Sequence, residues 1–204
     1  SCRRHRRQWR LRSSVRLQSL TGHKALQHQG GALYNGRLEE VLEECQPQDF
    51  VLIQLGQNDL RDEYETAYSS TEDMLKYMMA IVAKFQAKDV NVILSTPLAQ
   101  PFYKAGELKD RMGSYPEVVR RAALAKNVAL VDMEAITYEW WQTLDEEAAH
   151  VYYKNISPES ERKEYLLTKA GAEKICNLLV NNLKEQTIAG LAEHIRILYW
   201  LCLL

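Results

Sequence analysis

Three short apolar runs recur along the chain at intervals of about 40 residues. They are FVLIQL at 50–55, VNVILS at 90–95 and VALVD at 128–132, and the segments between them have helical periodicity. Continuous apolar strands are typical of a sheet that is covered on both faces. Strands that alternate with helices form parallel crossovers. The sequence therefore predicts an α/β fold, a three-layer α/β/α sandwich around a parallel sheet.

Polar residues suited to helix capping precede the helical segments. Ser70 is followed by Asp73, and Ser114 by Glu117, at the spacing of a capping box, and Thr168 precedes the last helical segment. A further helix is predicted at about 134–144. The helical segment before the first apolar run places four apolar residues on one face: Leu38, Val41, Leu42 and Cys45. These patterns predict one domain over residues 30–186.

The first 38 residues differ in charge from the rest of the chain. They contain nine Lys and Arg and no acidic residue, whereas the remainder has 17 basic and 27 acidic residues. Clustered Arg attracts phosphate, but nothing after this segment is basic enough to extend such a surface, so a nucleic-acid partner is not expected. We interpret residues 1–29 as a basic leader that is either disordered or aberrant.

The C-terminal residues 187–204 are predicted to form an apolar extension. Its run ILYWLCLL is too short to cross a bilayer, which needs about 20 residues. No apolar run of signal-peptide length follows the N-terminal arginines, and the four cysteines show no C-x-x-C spacing. These features favour a cytoplasmic protein with free thiols and without a membrane partner; they do not indicate its oligomeric state.

The first apolar run leads directly into the turn Gly56-Gln57-Asn58-Asp59. Ligands of open parallel sheets bind beyond the carboxyl ends of the strands, where this turn must lie. There an Asn amide can donate hydrogen bonds to an oxyanion, a contribution of about 3 kcal/mol in other enzymes. The alternative is a simple Asn-Asp turn, which is common after strands. The turn by itself does not decide between the two.

Four segments of the chain form a more specific pattern. They are PQDFVLIQLGQND, VILSTPLAQPFYKAGEL, SYPEVVRRAALAKNVALVDM and LTKAGAEKI, between about residue 36 and about residue 185. In order and approximate spacing they resemble the SGNH (GDSL-type) hydrolases, most closely the rhamnogalacturonan acetylesterase-like branch. The resemblance implies a flavodoxin-like α/β/α fold and hydrolysis of a carboxylic ester, typically an acetyl group on a sugar, without a metal or an organic cofactor. The partner it implies is an acetylated oligosaccharide or another small ester.

The resemblance also assigns roles to individual residues. The family's Gly-x-Asn-Asp motif falls on residues 56–59, so Asn58 takes the role of oxyanion donor. Asp59 would hold the loop by accepting backbone N–H bonds. Gly31, or alternatively Gly30, matches the glycine of the family's second motif, whose backbone N–H is another oxyanion donor.

The catalytic residues of the family are not found at their expected places. The family's nucleophilic Ser lies in a Gly-Asp-Ser turn, and no Gly-Asp pair occurs in this sequence. The Ser residues of the leader, Ser13, Ser14 and Ser19, lie among arginines without a strand-turn-helix context. Lys163 and Leu166 occupy the positions of the family's Asp and His. A leucine side chain cannot accept a proton from a hydroxyl, so the general base is missing.

The chain thus has the family's Gly-x-Asn-Asp motif but lacks its Ser, His and Asp. Three hypotheses follow. The first is a carbohydrate acetylesterase that is impaired or inactive in this chain. The second is a non-catalytic descendant that binds a glycan or a protein. The third is that a truncated gene or an altered reading frame produced the basic leader, which stands where the family has its Gly-Asp-Ser strand.

Overall fold

The structure is a computed structural model that describes residues 19–21, 37–57, 59, 68–109, 111–154, 166–186, 188 and 191. For residues 19–21, 37 and 166 the description covers the main chain. The elements in chain order are β1 (Ser19–Thr21), α1 (Arg37–Glu44), β2 (Phe50–Gln54), α2 (Thr71–Gln86), β3 (Asn91–Ser95), β4 (Phe102–Lys104), β5 (Glu107–Lys109), α3 (Tyr115–Lys126), β6 (Ala129–Val131), α4 (Met133–Trp141), α5 (Glu146–Ala149), β7 (Tyr153–Lys154), β8 (Leu166–Leu167) and α6 (Lys169–Glu185).

The central sheet has four parallel strands in the order β1-β2-β3-β6. Its register pairs Phe50 with Asn91 at one end of β2, and Gln54 with Ser95 at the other. Strand β6 pairs with the second half of β3, from Ile93 to Ser95. The three apolar runs are therefore strands of one parallel sheet, which confirms the predicted α/β class.

The two faces of the sheet carry different helices. Val51 and Ile53 of β2 pack into a core cluster with residues of α1, α2 and α3. Phe50 and Leu52 point to the opposite face, into a second cluster with residues of α4 and α6. Right-handed crossovers between successive neighbouring strands place their helices on one face, so α1 to α3 share a face and α6 covers the other. Because apolar side chains are needed on both faces, the strand sequences are continuous apolar runs and do not alternate between apolar and polar residues.

Strand β1 lies inside the segment interpreted as a leader. Ser19–Thr21 pair in parallel with residues 52–54 of β2. The described sheet therefore begins at residue 19 rather than after residue 30, and Ser19 is itself in a strand. A three-residue strand next to an Arg-rich run has too little apolar pattern to be recognised from sequence. The division at residues 29 and 187 remains a prediction.

Helix starts follow the predicted capping residues. Ser70 accepts a hydrogen bond from the Asp73 N–H, and Thr168 accepts one from the Gly171 N–H. Ser114 precedes α3 as expected, but its side chain makes no capping bond. The helix predicted at about 134–144 is α4, which begins at Met133 and is capped by Asp132. Each such cap is worth about 1 kcal/mol.

The described part of the chain contains neither a candidate membrane-spanning helix nor a candidate metal site. None of its helices combines the length and apolarity that crossing a bilayer requires. Nor do its His, Cys, Asp and Glu residues form a group of three suited to a metal ion.

Candidate functional site at the carboxyl edge of the sheet

The turn after β2 depends on a glycine. Gly56 has a φ of +103°, a conformation that L side chains rarely adopt. A Cβ atom at this position would lie 2.7 Å from Cε of Met74 in α2. Any other residue at position 56 would be strained by this φ, whereas the flexible end of the Met74 side chain could shift to make room. The Gly of the Gly-x-Asn-Asp motif is a geometric requirement of the turn.

Gln57 joins the turn after β2 to the loop after β3. Its Oε1 accepts a hydrogen bond from the Leu98 N–H at 3.1 Å. Its Nε2 lies 3.8 Å from Sδ of Met112, in the segment before α3. Strands β2 and β3 are neighbours in the sheet, so this side chain ties their two exits together. The sequence motif included Gln57 without assigning it this role.

Asp59, at the other end of the motif, is held by hydrogen bonds from Ser69 and Tyr115 to its main-chain carbonyl oxygen. The carbonyl oxygen of Asp59 accepts a hydrogen bond from the Ser69 N–H at 3.0 Å. The Tyr115 hydroxyl lies 3.0 Å from the same oxygen and 2.7 Å from the Ser69 carbonyl oxygen. Asp59 and Tyr115 are both buried. These contacts of the Asp59 main chain hold the loop in place, whereas the role expected for its side chain stays a prediction.

The β3 exit loop, residues 96–101, is buried although it has no regular secondary structure. The Thr96 N–H donates to the Val131 carbonyl oxygen at 3.1 Å, and the Ala99 N–H donates to Thr137 Oγ1 at 2.9 Å. With the bond between Leu98 and Gln57, three N–H groups of this loop are fixed to three other elements. A loop held this firmly at the carboxyl edge of a sheet is a suitable support for a binding site.

A charged network fixes the junction between β6 and α4. The Arg120 guanidinium donates from Nε to Asp132 Oδ2 at 2.8 Å and from Nη2 to Glu134 Oε2 at 2.6 Å. The Thr96 hydroxyl donates to Asp132 Oδ1 at 3.1 Å and accepts from the Glu134 N–H at 2.8 Å. This network connects α3, the β3 exit loop and the first turn of α4.

The ionisation of the network residues follows from these contacts. Burial disfavours the charged form of Asp132, but the hydrogen bonds from Arg120 and the Ala135 N–H outweigh it, so the pKa of Asp132 lies below its usual range. Hydrogen bonding to Asp132 raises the pKa of Arg120 further above its already high value. Both groups are therefore charged at neutral pH and act as a fixed ion pair.

Several residues singled out in the sequence lie outside the described residues. They are Asn58, Gly30, Gly31 and Lys163. Of the predicted motif, the structure thus describes Gly56, Gln57 and Asp59 around Asn58. The roles of these residues in catalysis remain predictions.

The position assigned to the family's His is described only by its main chain. Leu166 begins β8 and pairs with Lys154 of β7 in an antiparallel ladder. Immediately after it, Gly171 in α6 faces the main chain of Tyr152, where a Cβ atom would lie 2.1 Å from the carbonyl oxygen. The LTKAGA segment therefore has a structural reason for its glycine.

The sequence did not reveal three features of this edge: the linking role of Gln57, and the contacts of Tyr115 and Arg120. Their partners are distant in the chain; Tyr115, for example, is 56 residues from Asp59. No local pattern signals such contacts. The polar residues at the ends of three apolar strands were the only available signal, since parallel strands bring their carboxyl ends to one edge.

A family model described as GDSL-like Lipase/Acylhydrolase family matches residues 3–156. The chain belongs to this family. The resemblance to SGNH (GDSL-type) hydrolases is thereby confirmed.

Among curated relatives, the chain is 24% identical over 151 residues to the probable rhamnogalacturonan acetylesterase YesY of Bacillus subtilis (strain 168), which covers 74% of this chain and 69% of the relative. It is 23% identical over 168 residues to the rhamnogalacturonan acetylesterase RhgT of the same organism, covering 76% of this chain and 72% of the relative.

Solved structures of other proteins show the same fold. The crystal structure of protein YXIM from Bacillus subtilis superposes with a TM-score of 0.65 at 25% identity, covering 80% of this chain and 44% of that one. This chain thus spans less than half the length of that relative. The acetylxylan esterase Axe2 from Geobacillus stearothermophilus superposes with a TM-score of 0.56 at 18% identity, covering 74% of this chain and 65% of that one. The second likeness supports the fold alone.

Proposed function

We propose that this GDSL-family chain recognises acetylated oligosaccharides at the carboxyl edge of its sheet and is impaired in hydrolysing them. The observation that carries the proposal is the support on both sides of Asn58. Gln57 is fixed to the β3 exit loop through the Leu98 N–H, and the Asp59 main chain is fixed through Ser69 and Tyr115. A position between two such anchors suits an amide that must be preorganised toward a carbonyl oxygen.

The impairment follows from the residue types at the acid-base positions. An esterase of the Ser-His-Asp kind needs a hydroxyl nucleophile, an imidazole to take its proton and a carboxylate to orient the imidazole. Lys163 and Leu166 supply neither of the last two. With the oxyanion donor retained and the proton acceptor absent, we expect the chain to bind an acetyl group better than it cleaves one.

The names of the relatives support the choice of ligand. Two are rhamnogalacturonan acetylesterases by name, one of them qualified as probable. These names indicate an acetylated carbohydrate as substrate, so an acetylated oligosaccharide is the ligand we propose. The alternative is a descendant that binds a glycan or a protein without any remaining turnover.

A hydrolysis assay with para-nitrophenyl acetate tests the proposal. We expect turnover far below the kcat of about 1 s⁻¹ at the lower end of typical enzymes. Whatever turnover exceeds the buffer reaction should fall by about 10²-fold in Asn58→Ala, the loss seen when an oxyanion donor is removed. Asn177→Ala, on the exposed surface of α6, is the matched control and should leave the rate unchanged.

Three results would count against the proposal. An ordinary esterase rate would show that the hydrolysis is not impaired. Residual turnover that is equal in Asn58→Ala and the parent chain would remove the oxyanion role. Calorimetric titration with acetylated rhamnogalacturonan and xylan oligosaccharides distinguishes the alternative: binding without any turnover favours the non-catalytic descendant, and no heat with any of them rejects glycan recognition.

A further inference from the structure

Tyr68 is the most exposed aromatic side chain in the part of the chain that the structure describes, with 42% of its surface exposed. The other described aromatic rings are buried or half-buried, and several of them pack together around Trp141. A ring in water gives up the burial by which aromatic residues usually stabilise a protein. A single exposed apolar residue is nevertheless common, so exposure alone assigns it no role. What distinguishes Tyr68 is where the fold holds it.

The fold holds Tyr68 beside the turn that contains Asn58. The next residue, Ser69, donates its N–H to the Asp59 carbonyl oxygen at 3.0 Å. The Tyr115 hydroxyl lies 2.7 Å from the Ser69 carbonyl oxygen. Asp59 directly follows Asn58 in the chain. The main chain next to Tyr68 is therefore fixed to the motif turn on one side and to α3 on the other.

Helix α2 begins immediately after this fixed segment. Ser70 caps the helix by accepting a hydrogen bond from the Asp73 N–H. Because α2 follows β2 in a parallel crossover, its first turn lies at the carboxyl edge of the sheet, where ligands of such sheets bind. Tyr68, two residues before the cap, is thus held at this edge by a rigid support. A rigid support suits a binding group, since less freedom is lost when a ligand is bound.

The other exposed large apolar residues of the described chain lie elsewhere or have no ring. Leu124, which is 85% exposed, belongs to the last turn of α3. Since α3 leads into β6, this turn lies at the amino edge of the sheet, away from the proposed site. Val151 and Leu167 lie at the β7–β8 ladder and have aliphatic side chains. Of these residues, Tyr68 combines a ring with a place beside the motif turn.

The aromatic ring on the other side of the motif turn is already covered. Met112, whose Sδ lies 3.8 Å from Gln57 Nε2, directly follows Arg111 in the chain. The guanidinium carbon Cζ of Arg111 lies 3.9 Å from the centroid of the Phe102 ring, so a cation occupies one face of this ring. We therefore expect a ligand to use Tyr68 rather than Phe102 as its aromatic contact.

We propose that the Tyr68 ring is a sugar-stacking group that binds the sugar next to the acetylated sugar of an oligosaccharide. A sugar ring has an apolar face of C–H groups and a rim of hydroxyls. The face of an aromatic ring is partially negative, so it attracts the weakly positive C–H hydrogens, and the contact removes apolar surface from water. This inference rests on the proposed function. It gives the same site a preference for an oligosaccharide over a single acetylated sugar.

Calorimetric titration of Tyr68→Ala with an acetylated rhamnogalacturonan oligosaccharide tests the inference. Loss of the ring should weaken binding about tenfold, because the apolar contact with one sugar face is lost. Affinity for a single acetylated sugar should fall much less, so the advantage of the oligosaccharide should shrink in this variant. Tyr68→Phe keeps the ring and should restore the affinity lost in Tyr68→Ala.

The matched control is Leu124→Ala. It removes an even more exposed apolar side chain, but at the amino edge of the sheet, and should bind the oligosaccharide as the parent chain does. Both alanine variants should melt close to the parent chain, because exposed substitutions change stability little. Tyr68→Leu is a second variant for the same position, since it keeps an apolar side chain and removes the ring.

Each outcome decides the inference. Weaker binding by Tyr68→Ala at parent stability, restored in Tyr68→Phe, supports it. Equal binding by Tyr68→Ala and the parent chain overturns it and leaves the proposed function in place. Equal losses in Tyr68→Ala and Tyr68→Phe would assign the contact to the hydroxyl and overturn the stacking.

If Tyr68→Ala is less stable than the parent chain, Tyr68→Leu decides in its place. Weaker binding by Tyr68→Leu at parent stability supports the ring contact. Unchanged binding, or a loss of stability in this variant as well, assigns Tyr68 a structural role and overturns the inference. If the parent chain binds no acetylated oligosaccharide, the proposed function itself fails, and the inference fails with it.

Discussion

The β3 exit loop is held by two different kinds of contact. At its start, Thr96 is fully buried, and its hydroxyl both donates to Asp132 and accepts from the Glu134 N–H, within a network that includes the Arg120 cation. Two residues later, the Leu98 N–H donates to the neutral side chain of Gln57, in the turn after β2. The comparison separates a charged junction, where β6 meets α4, from a neutral one beside Asn58.

The largest effect is expected where the satisfied network is broken. Arg120→Met leaves the Asp132 and Glu134 carboxylates close together without their cation. Because these groups are only partly buried, we expect a loss of about 2 kcal/mol, below the range for fully buried pairs. Denaturant unfolding at neutral pH measures it. Arg121→Met, one position along on the exposed side of α3, is the matched control and should change stability little.

If both arginine variants were equally stable, the network would be a surface feature and not a support of the edge. If Arg120→Met weakened oligosaccharide binding at full stability, the charged junction would contribute to the site and not only support it.

A smaller effect is expected at Tyr115. Tyr115→Phe removes the hydroxyl that lies against the Asp59 and Ser69 carbonyl oxygens. The Asp59 oxygen keeps its bond from the Ser69 N–H, so we expect a loss of about 1 kcal/mol. Thermal unfolding measures the change. Tyr77→Phe, on the partly buried surface of α2, is the control. A Tyr115→Phe protein as stable as this control would mean that the hydroxyl does not hold the turn.

The sequence predicted the parts of the molecule that depend on local pattern. The runs at 50–55, 90–95 and 128–132 are strands because their apolar residues must be covered on both faces, and Ser70 and Thr168 cap helices because their side chains reach an N–H three residues ahead. The motif at 56–59 was recognisable because it depends on residue type at fixed spacing. Strand β1 was not predicted because three residues are too few to show a strand pattern of apolar residues.

The long-range contacts of Thr96 and Gln57 were not predictable. Thr96 is paired with a residue 36 positions away, and Gln57 with one 41 positions away. Threonine and glutamine are both ordinary loop residues, so their types do not show which will be buried or bonded. Only the folded arrangement shows which partner each of them binds.

The smallest effect concerns the pH dependence of the satisfied network. Burial opposes the ionisation of Asp132, and the bonds from Arg120 overcome this, so its pKa in the folded chain is below its usual value. A lowered folded pKa means that the network's contribution is complete above the unfolded pKa of about 3.9 and is lost as the pH falls through the folded pKa.

In Arg120→Met the favourable bonds are gone and burial remains, so the pKa of Asp132 should rise. The stability difference between the parent chain and Arg120→Met, measured by urea unfolding, should therefore shrink as the pH is lowered from about 6 to about 3. Other carboxylates with lowered pKa values, such as Glu39 beside Lys84, are common to both proteins and cancel in the difference. A difference that stays constant over this range would show that Arg120 stabilises the edge by packing rather than by its charge, because packing does not titrate.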